Sequence, residues 1–322
     1  MALLTPEETR GVWSLIPACA TADGGELEAR DTVDLDKLAA MVERLITAGV
    51  NGIATTGTLG EGHTLLWDEH QKLIQTVIEV ARKRVPVFTG TTSLNTRRTL
   101  EKTRWAKDAG ADGVLNGVPM WLPPAWQNAV QFYKDLAEAC PDVAIMIYHN
   151  PPVFRVTIPP AGFKQLAQVR NIVAVKQTVT ELRHWIGVRD AVEGRINILV
   201  SDNVVWPTAM FGAGGVWSTR SSAAPEPVLR LWEAASRGDW ARAEAIQRDI
   251  NDAWPPVTVE EFHTYDTPLM KRIIDLVSDG QAGPTRRPFV YMPDNVEQAA
   301  QQGAAKWKAL AAKYREPLYA SV

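Results

Sequence analysis

The 322-residue sequence predicts an α/β fold, a (β/α)8 TIM barrel followed by a C-terminal helical extension. Eight short apolar runs rich in β-branched residues alternate with eight segments of helical periodicity between residues 12 and 235. The connections between them are short, which requires parallel strands with right-handed crossovers. An open doubly wound sheet is the alternative, but the GxGxxG pattern that would mark its nucleotide site is absent after the first strand.

The strands and helices follow from apolar runs, helical spacing and turn residues. The predicted strands cover residues 12–19, 52–56, 85–91, 113–118, 144–149, 172–177, 196–201 and 214–219. The predicted helices cover residues 33–48, 67–84, 96–109, 124–139, 160–169, 181–192, 204–211 and 225–235. Gly49 and Gly110 directly follow the first and third helices, as C-terminal glycine caps do.

Beyond residue 237 only helical patterning remains. It covers residues 240–253, 259–277 and 296–314, with a turn-rich loop before the last segment. Helices of this kind need an apolar surface to pack on, and the predicted barrel offers one. We therefore expect residues 1–236 to form the barrel and residues 237–322 to form helices packed on it.

Composition and charge narrow the class of partner. Apolar residues make up 46% of the chain, charged residues 22%, and the net charge is −3, which gives no electrostatic reason to expect nucleic acid or an anionic membrane as partner. No run approaches the roughly 18 apolar residues of a membrane span, and the N-terminus lacks the features of a signal peptide. Two cysteines without CxxC spacing predict a reducing, cytoplasmic location, and five scattered histidines predict no metal site.

One lysine occupies an unusual place in the predicted barrel. Residues 172–177 (IVAVKQ) form a run typical of a strand buried on both faces, and Lys176 stands near its end. Burial lowers the pKa of a lysine, and the neutral amine attacks a carbonyl carbon to form a Schiff base. A lysine at a strand end can also extend its charged group into water. Both interpretations stay open on this run alone.

Two further groups are expected at the carboxyl ends of the strands, where the reactive residues of a barrel gather. Tyr148 and Asn150 share one face of the fifth strand, and His149 points the other way. A phenol beside a Schiff-base lysine can carry protons, although a tyrosine here is also common as a core residue. The turn at residues 57–60 (GTLG) can present backbone N–H groups to a carboxylate, but many tight turns have this composition.

Four motifs occur in the order and spacing of one family. They are residues 57–61 (GTLGE), 148–151 (YHNP), 173–176 (VAVK) and 212–218 (GAGGVWS). Over residues 12–236 the sequence resembles the dihydrodipicolinate synthase / N-acetylneuraminate lyase family of class I, pyruvate-dependent aldolases. The resemblance implies a lyase in which Lys176 forms the Schiff base and Tyr148 is the acid/base. It also implies that the turn at Gly57, with the backbone N–H groups of Thr58 and Leu59, holds the carboxylate of a pyruvoyl unit. It further implies no cofactor and a homotetramer built from dimers.

Three positions depart from the synthase branch of this family. Leu59 replaces a second threonine, Trp121 a tyrosine, and Val153 an arginine. The replacements are apolar or aromatic, so we expect an aromatic substrate, with Trp121 and Trp217 flanking its ring. The branch that the sequence most resembles is the hydratase-aldolases of aromatic hydrocarbon degradation, which act on trans-benzylidenepyruvates with an ortho hydroxyl or carboxylate. As a hypothesis for the mechanism, we expect Asn150 to position the water that adds to the substrate.

Two other interpretations stay open. One is a different pyruvate-dependent class I aldolase or lyase, acting on a sugar acid or in the manner of dihydrodipicolinate synthase. The other is a barrel that binds a 2-oxo acid without catalysis. The sequence does not indicate the ortho substituent, since His149, Arg155 and Arg220 each have the chemistry to bind a carboxylate.

Overall fold

The structure is a computed structural model that describes residues 3–319. Its eight strands are β1 (Gly11–Leu15), β2 (Gly52–Thr55), β3 (Val87–Gly90), β4 (Gly113–Asn116), β5 (Ala144–His149), β6 (Ile172–Gln177), β7 (Asn197–Ser201) and β8 (Gly215–Ser218). Neighbours in chain order pair in parallel, and β8 pairs back with β1 to close the barrel. The predicted (β/α)8 barrel is confirmed, because an open sheet would leave β1 and β8 unpaired with each other.

The helices surround this barrel. They are α1 (Leu35–Ala48), α2 (Trp67–Ala81), α3 (Thr96–Asp108), α4 (Trp126–Ala139), α5 (Pro151–Phe154), α6 (Pro160–Leu166), α7 (Leu182–Val192), α8 (Val205–Ala209) and α9 (Glu226–Ser236). The short helix α5 lies where the sequence indicated only a break after β5. A proline at the first position of a helix costs little, since its missing N–H would have no partner there.

Capping residues fix where the first helix begins and ends. The Asp34 side chain accepts a hydrogen bond from the backbone N–H of Lys37 at 3.0 Å and starts α1. Gly49 ends α1 in the left-handed conformation, with φ +98°, which favours glycine. The first strand is shorter than predicted. The Ile16 N–H still donates to Ala54 O at 3.1 Å, but Pro17 has no N–H to continue the ladder.

The C-terminal tail, residues 237–319 of the structure, contains α10 (Trp240–Asp252), α11 (Val259–Val277) and α12 (Asp294–Lys313). It packs on the barrel. The Trp307 indole donates to Ala224 O at 3.1 Å, and Lys271 Nζ donates to Ala18 O at 3.3 Å. The boundary at residues 236 and 237 stays a prediction, and the ends of the two predicted segments (1–2 and 320–322) lie outside the described residues.

Helix α11 is interrupted near its middle. Tyr265 has non-helical angles, φ −118° and ψ 20°, and Pro268 lies inside the helix. Proline lacks the N–H of a regular helical turn, which explains the kink. None of the helices in residues 3–319 has the length and apolar character to cross a membrane.

Candidate active site

Lys176 lies near the carboxyl end of β6, where every residue is buried, and only 3% of its own surface is exposed. Its Nζ atom lies 4.0 Å from the centroid of the Tyr148 ring and 3.7 Å from that of the Trp217 ring. None of the ion pairs found in residues 3–319 includes it. The amine is therefore enclosed by aromatic rings and forms no ion pair within the described residues.

These surroundings change the protonation of the amine. Burial lowers the pKa of Lys176 from its ordinary value of 10.5, because the ammonium loses its hydration. The Tyr148 hydroxyl and the carboxyl group of Asp266 oppose this shift. A lowered pKa increases the fraction of neutral amine, which carries the free electron pair needed to attack a carbonyl carbon.

Tyr148 lies directly beside this lysine, since the two are register partners in the β5–β6 ladder. Its hydroxyl shares a hydrogen bond with Thr58 Oγ1 at 3.1 Å and accepts one from Asn150 Nδ2 at 3.3 Å. The Phe154 ring packs against the phenol edge-to-face, with 5.0 Å between centroids. The hydroxyl is thus held by polar groups from two neighbouring segments, in an arrangement that can pass a proton.

The turn after β2 brings free N–H groups to the same place. Its tight path requires glycine at two positions, because a Cβ would lie 2.4 Å from Thr56 N at Gly60 and 2.2 Å from Thr56 O at Gly62. The backbone N–H groups of Thr58 and Leu59 donate to no acceptor within residues 3–319. These are the groups that the sequence analysis assigned to a carboxylate, and Gly57 precedes them in the turn.

The two tryptophans lie in different surroundings. Trp217 is half-buried, donates its indole N–H to Gln177 O at 2.9 Å and covers Lys176. Trp121 lies on the loop after β4 and is 75% exposed, and its backbone carbonyl accepts a hydrogen bond from Arg155 Nη1 at 3.0 Å. The structure therefore brings Trp217 to the lysine and leaves the Trp121 ring at the outer edge of the barrel mouth.

Of the three side chains proposed for an ortho carboxylate, two are used within the fold. Arg220 is buried and donates to both carboxylate oxygens of Asp202, at 2.9 and 3.3 Å, and to Ile250 O at 3.0 Å. His149 is also buried; its Nε2 accepts from Ile158 N–H, and its Nδ1 bonds Gln177. Arg155 is exposed at the end of α5, so its guanidinium alone of the three is accessible from the mouth.

The sequence analysis missed Asp266 and Thr267, which come from α11 in the tail. The Thr267 hydroxyl donates to Thr58 O at 3.3 Å, which fixes the kinked part of α11 against the turn after β2. Asp266 is partly exposed as a residue, but the protein around its carboxyl group desolvates it. This desolvation raises the pKa of the carboxyl to about 6. Pro268 within a helical pattern was the available signal, since it predicts a break there.

A second cavity lies away from the Lys176 amine and the Tyr148 phenol. This cavity, of about 510 Å³, lies between the loop after β1 and α11, with Gly25, Lys271 and Arg287 in its lining, and neither Lys176 nor Tyr148 lines it. This cavity is therefore separate from the candidate site at Lys176. Residues 3–319 contain no group of three or more His, Cys, Asp or Glu side chains arranged for a metal ion.

A closed parallel barrel with a buried lysine and a phenol at the carboxyl ends of its strands is the arrangement of class I aldolases. These lyases bind a keto acid covalently as an imine.

Comparison with known proteins assigns the chain within this class. The model of the "Dihydrodipicolinate synthetase family" matches residues 20–304. The trans-O-hydroxybenzylidenepyruvate hydratase-aldolase of Pseudomonas aeruginosa is 36% identical, over 98% of this chain and 97% of that protein. The trans-2'-carboxybenzalpyruvate hydratase-aldolase of Nocardioides sp. (strain KP7) is 30% identical, over 97% and 96%.

A solved structure, "PhdJ bound to substrate intermediate", superposes with a TM-score of 0.94 at 30% identity and covers 98% of this chain and 100% of that one. The chain belongs to the dihydrodipicolinate synthetase family. It is an enzyme, a lyase of the class I aldolase type.

Proposed function

We propose that this enzyme is a hydratase-aldolase that cleaves a trans-benzylidenepyruvate, with a hydroxyl or carboxylate in the ortho position, to an aromatic aldehyde and pyruvate. The observation that carries the proposal is the Lys176 amine, buried between the rings of Tyr148 and Trp217. The two relatives named as hydratase-aldolases support the same reaction.

Lys176 begins the reaction as a nucleophile. Its neutral amine attacks the C2 carbonyl of the 2-oxo acid, and Tyr148 protonates the carbinolamine oxygen, which leaves as water. The product is an iminium ion conjugated with the double bond of the substrate. The lysine supplies the electron sink itself, so the proposal needs no cofactor.

The iminium makes the distant alkene carbon electrophilic, and water adds there with loss of one proton to give an enamine. A proton added to the carbon next to the imine carbon then restores the iminium. The Asn150 amide, which donates to the Tyr148 hydroxyl, is placed to orient this water. Tyr148 then removes the proton of the new hydroxyl group while the carbon–carbon bond breaks towards the iminium. The aldehyde leaves, and the remaining enamine is protonated and hydrolysed to pyruvate and free Lys176.

Binding uses two ends of the pocket. The unused N–H groups of Thr58 and Leu59 hold the carboxylate of the pyruvoyl unit. Trp217 packs against the aromatic end, and Trp121 covers it from the outer edge of the mouth when substrate is bound. Arg155 is the candidate partner for an ortho carboxylate, because its guanidinium is accessible.

The assembly remains a prediction. We propose a homotetramer built from dimers, in which residues 237–322 pack on the barrel of their own chain as its tail. The contacts of Trp307 and Lys271 with the barrel support that placement of the tail.

A substrate panel with chemical trapping tests the proposed function. We expect turnover of ortho-hydroxy or ortho-carboxy benzylidenepyruvate, followed by the absorbance of the released aldehyde, and no turnover of sugar acids. Borohydride with pyruvate should add one reduced pyruvoyl unit to Lys176, identified by peptide mass spectrometry.

Lys176→Ala is the control, and it should abolish both turnover and trapping. Trapping without turnover of any benzylidenepyruvate would favour a different pyruvate-dependent aldolase. Substantial turnover by Lys176→Ala would refute the Schiff base, and absence of any adduct would favour a barrel that only binds.

A further inference from the structure

Three charged side chains form a buried cluster behind the turn that follows β2. We call Glu61, Lys271 and Arg286 the tail cluster. Glu61 Oε2 accepts hydrogen bonds from Lys271 Nζ and from Arg286 Nη1, each at 2.6 Å. Its Oε1 accepts from the backbone N–H of Arg286 at 2.8 Å. Glu61 belongs to the barrel, and both cations belong to the tail.

The remaining donors of the tail cluster are also used. Lys271 Nζ donates to Pro284 O at 2.7 Å. Arg286 donates to the hydroxyl of Thr32 at 2.7 Å and to its carbonyl oxygen at 2.6 Å. Both cations are thus held by protein acceptors in addition to Glu61. A buried ionic cluster often adds little net stability compared with apolar residues, so its presence calls for another reason.

The position of Glu61 supplies that reason. Glu61 has φ +49°, and its backbone N–H donates to Thr58 O at 3.0 Å, which closes the turn. The same carbonyl accepts from the Thr267 hydroxyl of the tail. Thr58 Oγ1 in turn contacts the Tyr148 hydroxyl at 3.1 Å. A shift of Glu61 would therefore reorient the N–H groups of Thr58 and Leu59.

We propose that Glu61 is a positioning residue through which the two tail cations hold the carboxylate-binding turn in its working shape. Glu61 does not touch the substrate; it acts through the backbone of Thr58 and Leu59. The inference rests on the proposed function, since that function assigns these N–H groups to the pyruvoyl carboxylate. The C-terminal tail is accordingly part of the substrate-binding machinery of the barrel.

The test compares two ligands that differ only at the carboxylate. Pyruvate and its neutral amide, pyruvamide, are each trapped on Lys176 with borohydride over a range of concentrations. In Glu61→Gln the half-saturating pyruvate concentration should rise about tenfold or more, as expected when charge-assisted hydrogen bonds are lost. That of pyruvamide should change less than about twofold, because it has no carboxylate charge for the turn to bind.

Glu61→Gln leaves two buried cations without a counter-charge, and the variant could fail to fold for that reason. A second variant keeps the proposal testable in that case. Lys271→Met keeps the ion pair of Glu61 and Arg286. It should raise the half-saturating pyruvate concentration as well, but by a smaller factor. Leu231→Ala in α9 removes a wholly buried side chain away from the turn and is the matched stability control. It should leave the half-saturating concentrations of both ligands unchanged.

The outcomes separate the two proposals. The positioning role would be overturned if the half-saturating concentrations of pyruvate and pyruvamide rose equally, or if that of pyruvate did not rise in either variant. Either result would leave the Schiff base intact. Failure of the unaltered enzyme to trap pyruvate would instead overturn the proposed function and this inference together.

Discussion

Two lysines are buried to nearly the same depth in this enzyme, Lys176 with 3% and Lys271 with 1% of its surface exposed. Burial lowers the pKa of both amines. At Lys271 the Glu61 carboxylate opposes that shift, and carbonyl oxygens accept its other protons. At Lys176 the flanking groups are two aromatic rings. Burial is therefore common to both lysines, and they differ in their contacts: Glu61 forms an ion pair with Lys271, whereas Asp266 acts on Lys176 through its charge without an ion pair.

The first test of the comparison between Lys176 and Lys271 concerns Tyr148, the phenol beside Lys176. Tyr148→Phe should slow turnover by a factor on the order of 10²–10⁴, because the variant lacks the group that moves protons at two steps. Steady-state rates of aldehyde release measure this effect.

Tyr133 provides a matched control for that substitution. Like Tyr148 it is buried, but its hydroxyl donates to Asn116 O at 2.8 Å. Tyr133→Phe should change the rate by only a few-fold. If Tyr148→Phe were as active as Tyr133→Phe, the phenol would have no part in the chemistry.

Replacement of each lysine by methionine should change stability in opposite directions. Lys271→Met leaves the carbonyl of Pro284 and one oxygen of Glu61 with fewer donors, so it should lower the free energy of unfolding by about 1–3 kcal/mol. Lys176→Met removes an amine whose charged form is unfavourable in the fold, so it should raise the free energy of unfolding at neutral pH. Urea unfolding measures both.

The gain in the free energy of unfolding of Lys176→Met should depend on pH. The folded pKa of Lys176 is depressed, so the unfolded chain binds more protons between that value and 10.5. The stability cost of the lysine is fully present below its folded pKa and disappears as the pH rises towards 10.5. The difference between Lys176→Met and the unaltered enzyme should shrink over that window. A gain that is the same at neutral pH and above pH 10 would contradict the lowered pKa.

The smallest expected effect concerns Asp266. Its negative charge raises the pKa of Lys176, so Asp266→Asn should lower that pKa further. The acid side of the pH profile for borohydride trapping of pyruvate should then move to lower pH. Asp275→Asn, another acidic residue of the same helix, is the control and should leave the profile in place. A shift to higher pH in Asp266→Asn would show that its charge does not act on the amine.

Local patterns were sufficient to predict the barrel and the strand that carries Lys176. The strand at 172–177 and its register partner at 144–149 agree with the structure at both ends, because a strand buried on both faces has an uninterrupted apolar run. The opposite faces of Tyr148 and His149 also follow from the two-residue period of a strand. Boundaries were less accurate where a proline ended a ladder, as at Pro17, or began a helix, as at Pro151.

The contribution of the tail was decided only in three dimensions. Glu61 lies 210 residues from Lys271 and 225 from Arg286 in the sequence, and no local pattern marks them as partners. No local pattern marks Asp266 as a neighbour of Lys176, or Arg220 as a partner of Asp202. The bond to Asp202 keeps Arg220 out of the pocket. By itself the sequence determined the barrel, because its strands and helices follow from short-range periodicity, and it determined the class of enzyme through motifs shared with a known family. The reactive role of Lys176 stays a prediction. Tertiary packing decided which buried amine forms an ion pair, as Lys271 does with Glu61, because that depends on contacts between distant segments.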